Sequence, residues 1–380
     1  MTRIYADYAA TTPLLPEVQT AMRPWLATKF GNPSSQYEEG RRARAAIDQA
    51  REALSAKLGC LFAEVLFTSS GTESANLAIV GAALNGERKR LLFAASEHHC
   101  VLHTQKTLEK LGCQVDLVPV DRNAVIDLDA LESLMGDDVL LVSVMHANNE
   151  LGTIQPIFQV AEIAHRYGAL FHCDAVQTFT VWDWKVTDLC ADLVSLSAHK
   201  IGGPKGAGAI YIKAGVKLHP LIVGGGQERE VRAGTENVAA IVGFAAAVGE
   251  GQGPEVEGRY DSASRFATGL ADSTASFTVQ PSTLHPRPST LPGHVHVRFP
   301  GVAAETLLIK LDRMGVSASA GAACSSGSLD PSHVLLACGY SDQEAKEGVR
   351  FTFGRSQPAS EGSEAAERVN EAVRQIRSCV

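Results

Sequence analysis

Between residues 40 and 250 the chain alternates short apolar runs with amphipathic ones, and this alternation narrows its possible folds more than any other feature. Arg90–Ala94, Gln114–Pro119, Val139–Val144 and Ala169–Cys173 read as buried strands, and Glu64–Phe67 and Leu189–Leu196 are further short apolar, strand-like runs. Gly40–Leu58, Ser74–Leu84, Leu102–Leu111, Leu128–Met135 and Pro156–Tyr167 carry apolar residues at helical spacing. Strand and helix in turn predict an α/β fold, a mostly parallel sheet with helices on both faces. The pattern then breaks at the polar, Gly-rich GEGQGPEVEGRYD and the Pro- and Ser-rich QPSTLHPRPSTLPG, a boundary followed by a long connection. Beyond it, HVHVRF and VRFTFGR read as strands. ETLLIKLDRMG and Glu361–Ile376 read as helices, giving a smaller α+β layer.

Bulk properties remove several function classes. Of 380 residues, 20% are charged, and the net charge of -8 argues against nucleic acid as the main ligand. No apolar run is long enough to span a bilayer. The opening MTRIYADYAATTP lacks the apolar core of a signal peptide, so the cytoplasm is the expected location. Eight cysteines occur with no CxxC pair, which predicts reduced thiols and no metal site.

In open α/β sheets, ligands bind where strands end, so the loops after the strands carry the search for a site. Thr68-Ser-Ser-Gly-Thr-Glu-Ser74 opens a helix. The backbone N–H groups of Gly71 and Thr72 there suit a phosphate, or serve as a plain helix cap. In SEHH, His98 suits ring stacking or proton transfer, or is a surface histidine. In MHANNELG, Asn149 suits an oxygen substituent of a ring. In HCDAVQ, Asp174 suits a protonated ring nitrogen, with Gln177 three residues on. In SLSAHKIGGPKG, Lys200 ends a strand beside Ser197 and His199. No one of these loops decides the matter. Together they offer a phosphate cradle, a flat-ring stacker, an acid for a ring nitrogen and an amine. That set fits pyridoxal 5′-phosphate, which bonds a lysine as a Schiff base and needs an acid at its pyridine nitrogen.

These motifs, with YADYAATTP, FGNPSS, GGGQEREVRAGTENV and AACSSGSLDPSHVL, run in order along nearly the whole chain. The chain resembles the cysteine desulfurases of the class V aminotransferase, fold-type I group, and its cysteine loop is similar to that of the nitrogen-fixation and iron–sulfur housekeeping branch. The resemblance implies a large domain of residues 13–250. It pairs residues 1–12 with 251–380 as a small domain bearing a mobile cysteine loop at about 317–330.

The resemblance also implies roles. Lys200 bonds the cofactor and later moves the proton, while Asp174 holds the pyridine nitrogen. Gln177 and Asn149 contact the phenolic oxygen side, and His98 stacks on the ring and assists catalysis. Gly71, Thr72, Ser197 and His199 hold the phosphate. Thr235 reaches the phosphate of a second subunit, so a homodimer is expected. Arg350 and Asn32 receive the substrate carboxylate. Cys324, in a run of small residues, is the nucleophile: it takes sulfur from L-cysteine as a persulfide, leaves L-alanine, and passes the sulfur to an acceptor protein, an iron–sulfur scaffold or a sulfur carrier. Selenocysteine lysis, another class V reaction and a non-catalytic sulfur-pathway partner are the alternatives.

The sequence departs from the family in three places. Tyr37 stands where a histidine is common, and Ala320 and Ala322 stand where serines are common. The sequence runs to Val380, just past its last helix, and scaffold-feeding relatives have a longer tail. The expectation is therefore sulfur transfer with the acceptor left open.

Overall fold

The computed structural model describes residues 2–181, 183–249, 255–270, 276–277, 289–321, 330–355 and 357–378. Cys324 and Ala322 lie outside them.

The chain opens with β1 (Ile4–Tyr5) and two helices, α1 (Pro16–Ala27) and α2 (Glu38–Leu58). The main sheet follows: β2 (Val65–Thr68), β3 (Arg90–Ala94), β4 (Gln114–Val118), β5 (Val139–Ser143), β6 (Leu170–Asp174), β7 (Leu193–Ser197) and β8 (Gly208–Ile212). Its order is β2-β8-β7-β6-β5-β3-β4. The four pairings among β3, β4, β5, β6 and β7 are parallel, and β8 lies antiparallel between β7 and β2. Because β8 is reversed against both neighbours, β2 runs in the same direction as β7. The C-terminal ends of β2, β3, β5, β6 and β7 therefore meet along one edge.

The expected strands appear within a residue or two, with three corrections: the run from Leu189 is strand only from Leu193, VRFTFGR is strand only to Thr352, and β4, expected to be buried, lies at the sheet edge with Gln114 and Leu117 exposed. β8 was not anticipated, because AGAIYI follows the glycine turn too closely to stand out from the Lys200 loop. Leu102–Leu111 is not one helix: His99–Leu102 and Gln105–Lys110 are separate short turns, with the Thr104 hydroxyl bonded back to the Val101 carbonyl at 2.6 Å.

Helices cover both faces, which explains why every residue of β5, β7 and β8 is buried. α2 lays Ala43, Ile47, Ala50, Leu54 and Leu58 against the sheet at helical spacing. α3 (Gly71–Asn85) packs under β7 and β8 and buries Ala75, Leu77, Ala78, Ile79 and Ala82.

A separate apolar cluster joins Ile4 and Ala6 to Phe266, Val295, Val297, Leu307, Phe351 and Val369. It is built on β9 (Ser276–Phe277), β10 (His294–Arg298) and β12 (Gly348–Thr352), with β1 paired in parallel to β11 (Val316–Ser317). Among the described residues, no helix is long and apolar enough to cross a membrane.

Candidate active site

A cavity of about 240 Å³ opens where the parallel strands end. Each strand delivers one chemical group to it. β2 leads through Ser69 and Ser70 into α3, whose first residues, Gly71 and Thr72, line the cavity. The Ser70 hydroxyl accepts from Glu73 N at 3.1 Å, capping the helix, so Gly71 and Thr72 present their N–H groups at the positive end of the helix dipole. A Cβ on Gly71 would come within 2.7 Å of Val176 Cγ2, so only glycine lets the chain pass here.

His98 follows β3. Its Nδ1 accepts from Cys100 N at 3.1 Å, which fixes the ring, and burial pushes its pKa down to about 4, aided by the charge on Lys200. The ring is therefore neutral at pH 7. Asn149 follows β5 on a turn tied by Asn148, whose Oδ1 accepts from Glu150 N and Leu151 N, each at 2.9 Å.

Asp174 ends β6 with only 8% of its surface exposed. One carboxylate oxygen accepts from Val176 N at 2.9 Å. Burial raises its pKa to about 6, and only that hydrogen bond and Lys200 oppose the rise. Gln177 lies beside it and donates to the Ala9 carbonyl at 3.1 Å.

After β7, Ser197, His199 and Lys200 share a tight turn. Gly202 is left-handed there (φ +85°), and a Cβ would meet Leu15 at 2.5 Å, so the turn needs glycine to send the lysine back over the strand ends. Lys200 Nζ donates to the carbonyls of Ala9 and Ala10 at 2.6 and 2.9 Å. His199 bonds the Thr11 hydroxyl through Nδ1 at 3.1 Å, and Thr12 ties back to the His199 carbonyl at 3.0 and 2.9 Å.

Arg350, on β12, enters the cavity from the other apolar cluster and is 1% exposed. Its Nη2 pairs with Asp7 Oδ1 at 2.7 Å and its Nη1 donates to the Asn149 carbonyl at 2.8 Å. The Ser319 hydroxyl holds the second Asp7 oxygen at 2.7 Å.

Of the residues singled out in the sequence, Gly71, Thr72, His98, Asn149, Asp174, Gln177, Ser197, His199, Lys200 and Arg350 line this one cavity. Thr235 and Asn32 do not, and both are exposed. Thr235 lines a neighbouring pocket with Ser69, Gly206 and Arg232, on a segment where Glu228, Arg229 and Glu230 take left-handed φ of 42°, 56° and 64°. Asn32 closes a local turn through Ser34 N at 2.9 Å.

Three contributors were not foreseen. Asp7 and the Ala9 and Ala10 carbonyls come from YADYAATTP, where the only sequence signal was a lone acid in an apolar segment.

The cavity fits pyridoxal 5′-phosphate. The capped helix start at Gly71 and Thr72 opens into the cavity beside Ser197 and His199, which suits a phosphate, and the under-solvated Asp174 calls for a cationic N–H donor. The sheet, the strand-end cavity and the lysine–aspartate pair define a fold-type I pyridoxal-phosphate enzyme. The aminotransferase class-V family matches residues 4–362, and the chain belongs to that family and, within it, to the cysteine desulfurases. It is 45% identical to "Cysteine desulfurase IscS" of Dictyoglomus turgidum, over 92% of this chain and 89% of that one. The solved structure titled "NIFS-LIKE PROTEIN" aligns over 100% of both chains with a TM-score of 0.90 and 34% identity. "SspA in complex with cysteine" covers 93% of this chain and 99% of its own, with a TM-score of 0.81 and 34% identity.

Proposed function

We propose that the chain releases sulfur from L-cysteine, forms L-alanine, and carries the sulfur as a persulfide on Cys324 to an acceptor protein, for use in iron–sulfur cluster assembly. One observation carries the reading: an amine, a buried carboxylate, a helix start and a guanidinium converge on one cavity at Lys200, Asp174, Gly71 and Arg350. The relative solved with cysteine supports the substrate.

When bound, pyridoxal phosphate withdraws electrons and makes the substrate's α-hydrogen acidic. Gly71, Thr72, Ser197 and His199 hold its phosphate, and Asp174 holds its ring nitrogen in the protonated form. A neutral His98, which lines the cavity, would face the ring without opposing that charge. Gln177 and Asn149 orient the ring's oxygen edge. Arg350, already braced by Asp7 and the Asn149 carbonyl, receives the substrate carboxylate, assisted by Asn32. Lys200 Nζ takes the α-proton, its position set by the Ala9 and Ala10 carbonyls. The Cys324 thiolate attacks the substrate sulfur; a new S–S bond forms as the carbon–sulfur bond breaks, and the electron pair of that bond passes to the substrate's β-carbon, which takes a proton to become the methyl group of L-alanine.

A homodimer completes the site in this reading. Thr235 and Asn32 are exposed on the single chain, and in a dimer Thr235 would reach the phosphate held by the second subunit. The two-part organisation, residues 13–250 against 1–12 with 251–380, is supported by the separate cluster around Ile4 and Phe351. The cytoplasm suits a thiol chemistry, and none of the described cysteines forms a disulfide.

Two variants test the reading. Lys200→Ala should lose the visible band of the bound cofactor and all turnover. Cys324→Ala should keep the band and lose sulfide release from L-cysteine under a thiol reductant. Full sulfide release by Cys324→Ala would refute the reading.

A further inference from the structure

Behind Lys200, on the side away from the cofactor cavity, lies a second chamber of about 30 Å³. The two cavities share Ala9, Gln177 and Lys200, so the lysine is part of the wall between them. Such a volume holds one or two waters. Its polar lining holds three donors, Lys200, the Gln177 amide and Arg259, and the hydroxyls of Tyr8, Thr12 and Thr352, of which Thr12 and Thr352 already accept from Gly202 N and Ala9 N at 2.8 and 2.9 Å. A water placed there needs an acceptor for its own hydrogens, and the Ala9 carbonyl already takes bonds from both Lys200 and Gln177.

His294, on β10, supplies that acceptor. Its ring donates to the Pro292 carbonyl, and its Nε2 is buried with no hydrogen-bond partner among the described residues. Proline has no N–H, so the ring must be the donor in the first contact. The proton then sits on Nδ1, leaving a lone pair on Nε2. A buried acceptor of this kind is costly unless it is satisfied.

We propose that this chamber is a water site in which one ordered water accepts a hydrogen bond from Lys200 Nζ and donates one to His294 Nε2, making His294 a positioning residue for the lysine amine. The proposal rests on reading Lys200 as the cofactor lysine. It assigns the amine a resting place when it is not bonded to the cofactor, between the Ala9 and Ala10 carbonyls on one side and the water on the other. His294 remains an acceptor throughout, since burial and the charges of Arg350, Arg259 and Lys200 push its pKa down to about 3.

The test follows the Lys200 amine itself. The full chain is labelled with 13Cε-lysine, stripped of cofactor and titrated by NMR, with the Lys200 signal assigned by its loss in Lys200→Ala. Tyr8, Asp174, His98, His199, Arg259 and Arg350 also line the chamber or bear on the amine or on His294, and all are unchanged in the variants compared. His294→Leu removes the acceptor and should lower the Lys200 pKa by about half a unit to one unit, roughly 3- to 10-fold in proton affinity. His294→Asn keeps an acceptor and makes room for a second water, so it should restore most of the shift. An unmoved titration in His294→Leu overturns the proposal, as does an equal shift in both variants.

A high-resolution structure of the wild-type holoenzyme gives a second reading that needs no variant. Water within hydrogen-bonding distance of His294 Nε2 and on the Lys200 side of the chamber supports the proposal, and a dry chamber overturns it. Failure of the cofactor reading looks different: no visible band forms when pyridoxal phosphate is added to the wild-type protein.

Discussion

Asp174→Asn should stabilise the cofactor-free protein while destroying its function. The asparagine keeps the shape and the oxygen that accepts from Val176 N at 2.9 Å, so packing is unchanged and only the charge is removed. Burial raises the carboxyl from 3.8 to about 6. That is roughly two units at 1.36 kcal/mol each, or about 3 kcal/mol favouring the neutral form in the folded state.

The sign follows from the raised folded pKa. The protonated acid's contribution is fully present below the unfolded value of 3.8 and is lost as pH rises through about 6. Above pH 6, therefore, the wild-type carboxylate carries a penalty of about 3 kcal/mol that the Asp174→Asn variant escapes. At pH 4.5 the gap narrows to about 1 kcal/mol, because the unfolded chain is then only part way through its titration. Urea denaturation of both cofactor-free proteins at pH 7.5 and 4.5 measures the two gaps. Equal stabilities at pH 7.5, or a gap that widens on acidification, would show that Asp174 is not held in a desolvated site. With cofactor bound, the order reverses, because only the carboxylate holds a protonated ring nitrogen, and turnover in the variant should fall by at least about 100-fold.

Other outcomes follow from the same geometry. Arg350→Lys keeps a charge but loses the fork braced by Asp7 and Asn149, so KM for L-cysteine should rise by about 30-fold, roughly 2 kcal/mol, with a smaller change in kcat; an unchanged KM would remove Arg350 from substrate binding. Glu228→Ala strands Arg51, which pairs with Glu228 through two 2.7 Å bonds, the side chains being 5% and 1% exposed; the loss should be about 3–5 kcal/mol in urea denaturation, and a loss below about 1 kcal/mol would contradict a buried pair.

Most of the site was legible in the sequence because it is local. Gly71, His98, Asp174 and Lys200 each follow or end a short, largely apolar strand that is buried over nearly its whole length, and the parallel order of the sheet brings those ends together without further information. What was not legible depends on long-range contact. Asp7 meets Arg350 across more than 300 residues, and the Ala9 and Ala10 carbonyls that hold Lys200 are backbone atoms with no residue preference to reveal them. β8 was hidden for another reason: it is reversed and begins with glycine, so neither alternation nor β-branching marks its start. Thr235, also singled out in the sequence, lines a neighbouring pocket with Ser69, Gly206 and Arg232 rather than the cavity.

The central claim is a particular bond cleavage at this cavity, and product analysis reads it directly. The cofactor-loaded wild-type enzyme is mixed with L-cysteine in the presence of a thiol reductant, and alanine, sulfide, pyruvate and ammonia are quantified over time. Without the reductant, the protein is examined by mass spectrometry for one added sulfur on the peptide bearing Cys324. The account predicts alanine and sulfide in equal amounts, and a persulfide on Cys324. Pyruvate and ammonia in place of alanine, or alanine formed with no sulfur on Cys324, would contradict it.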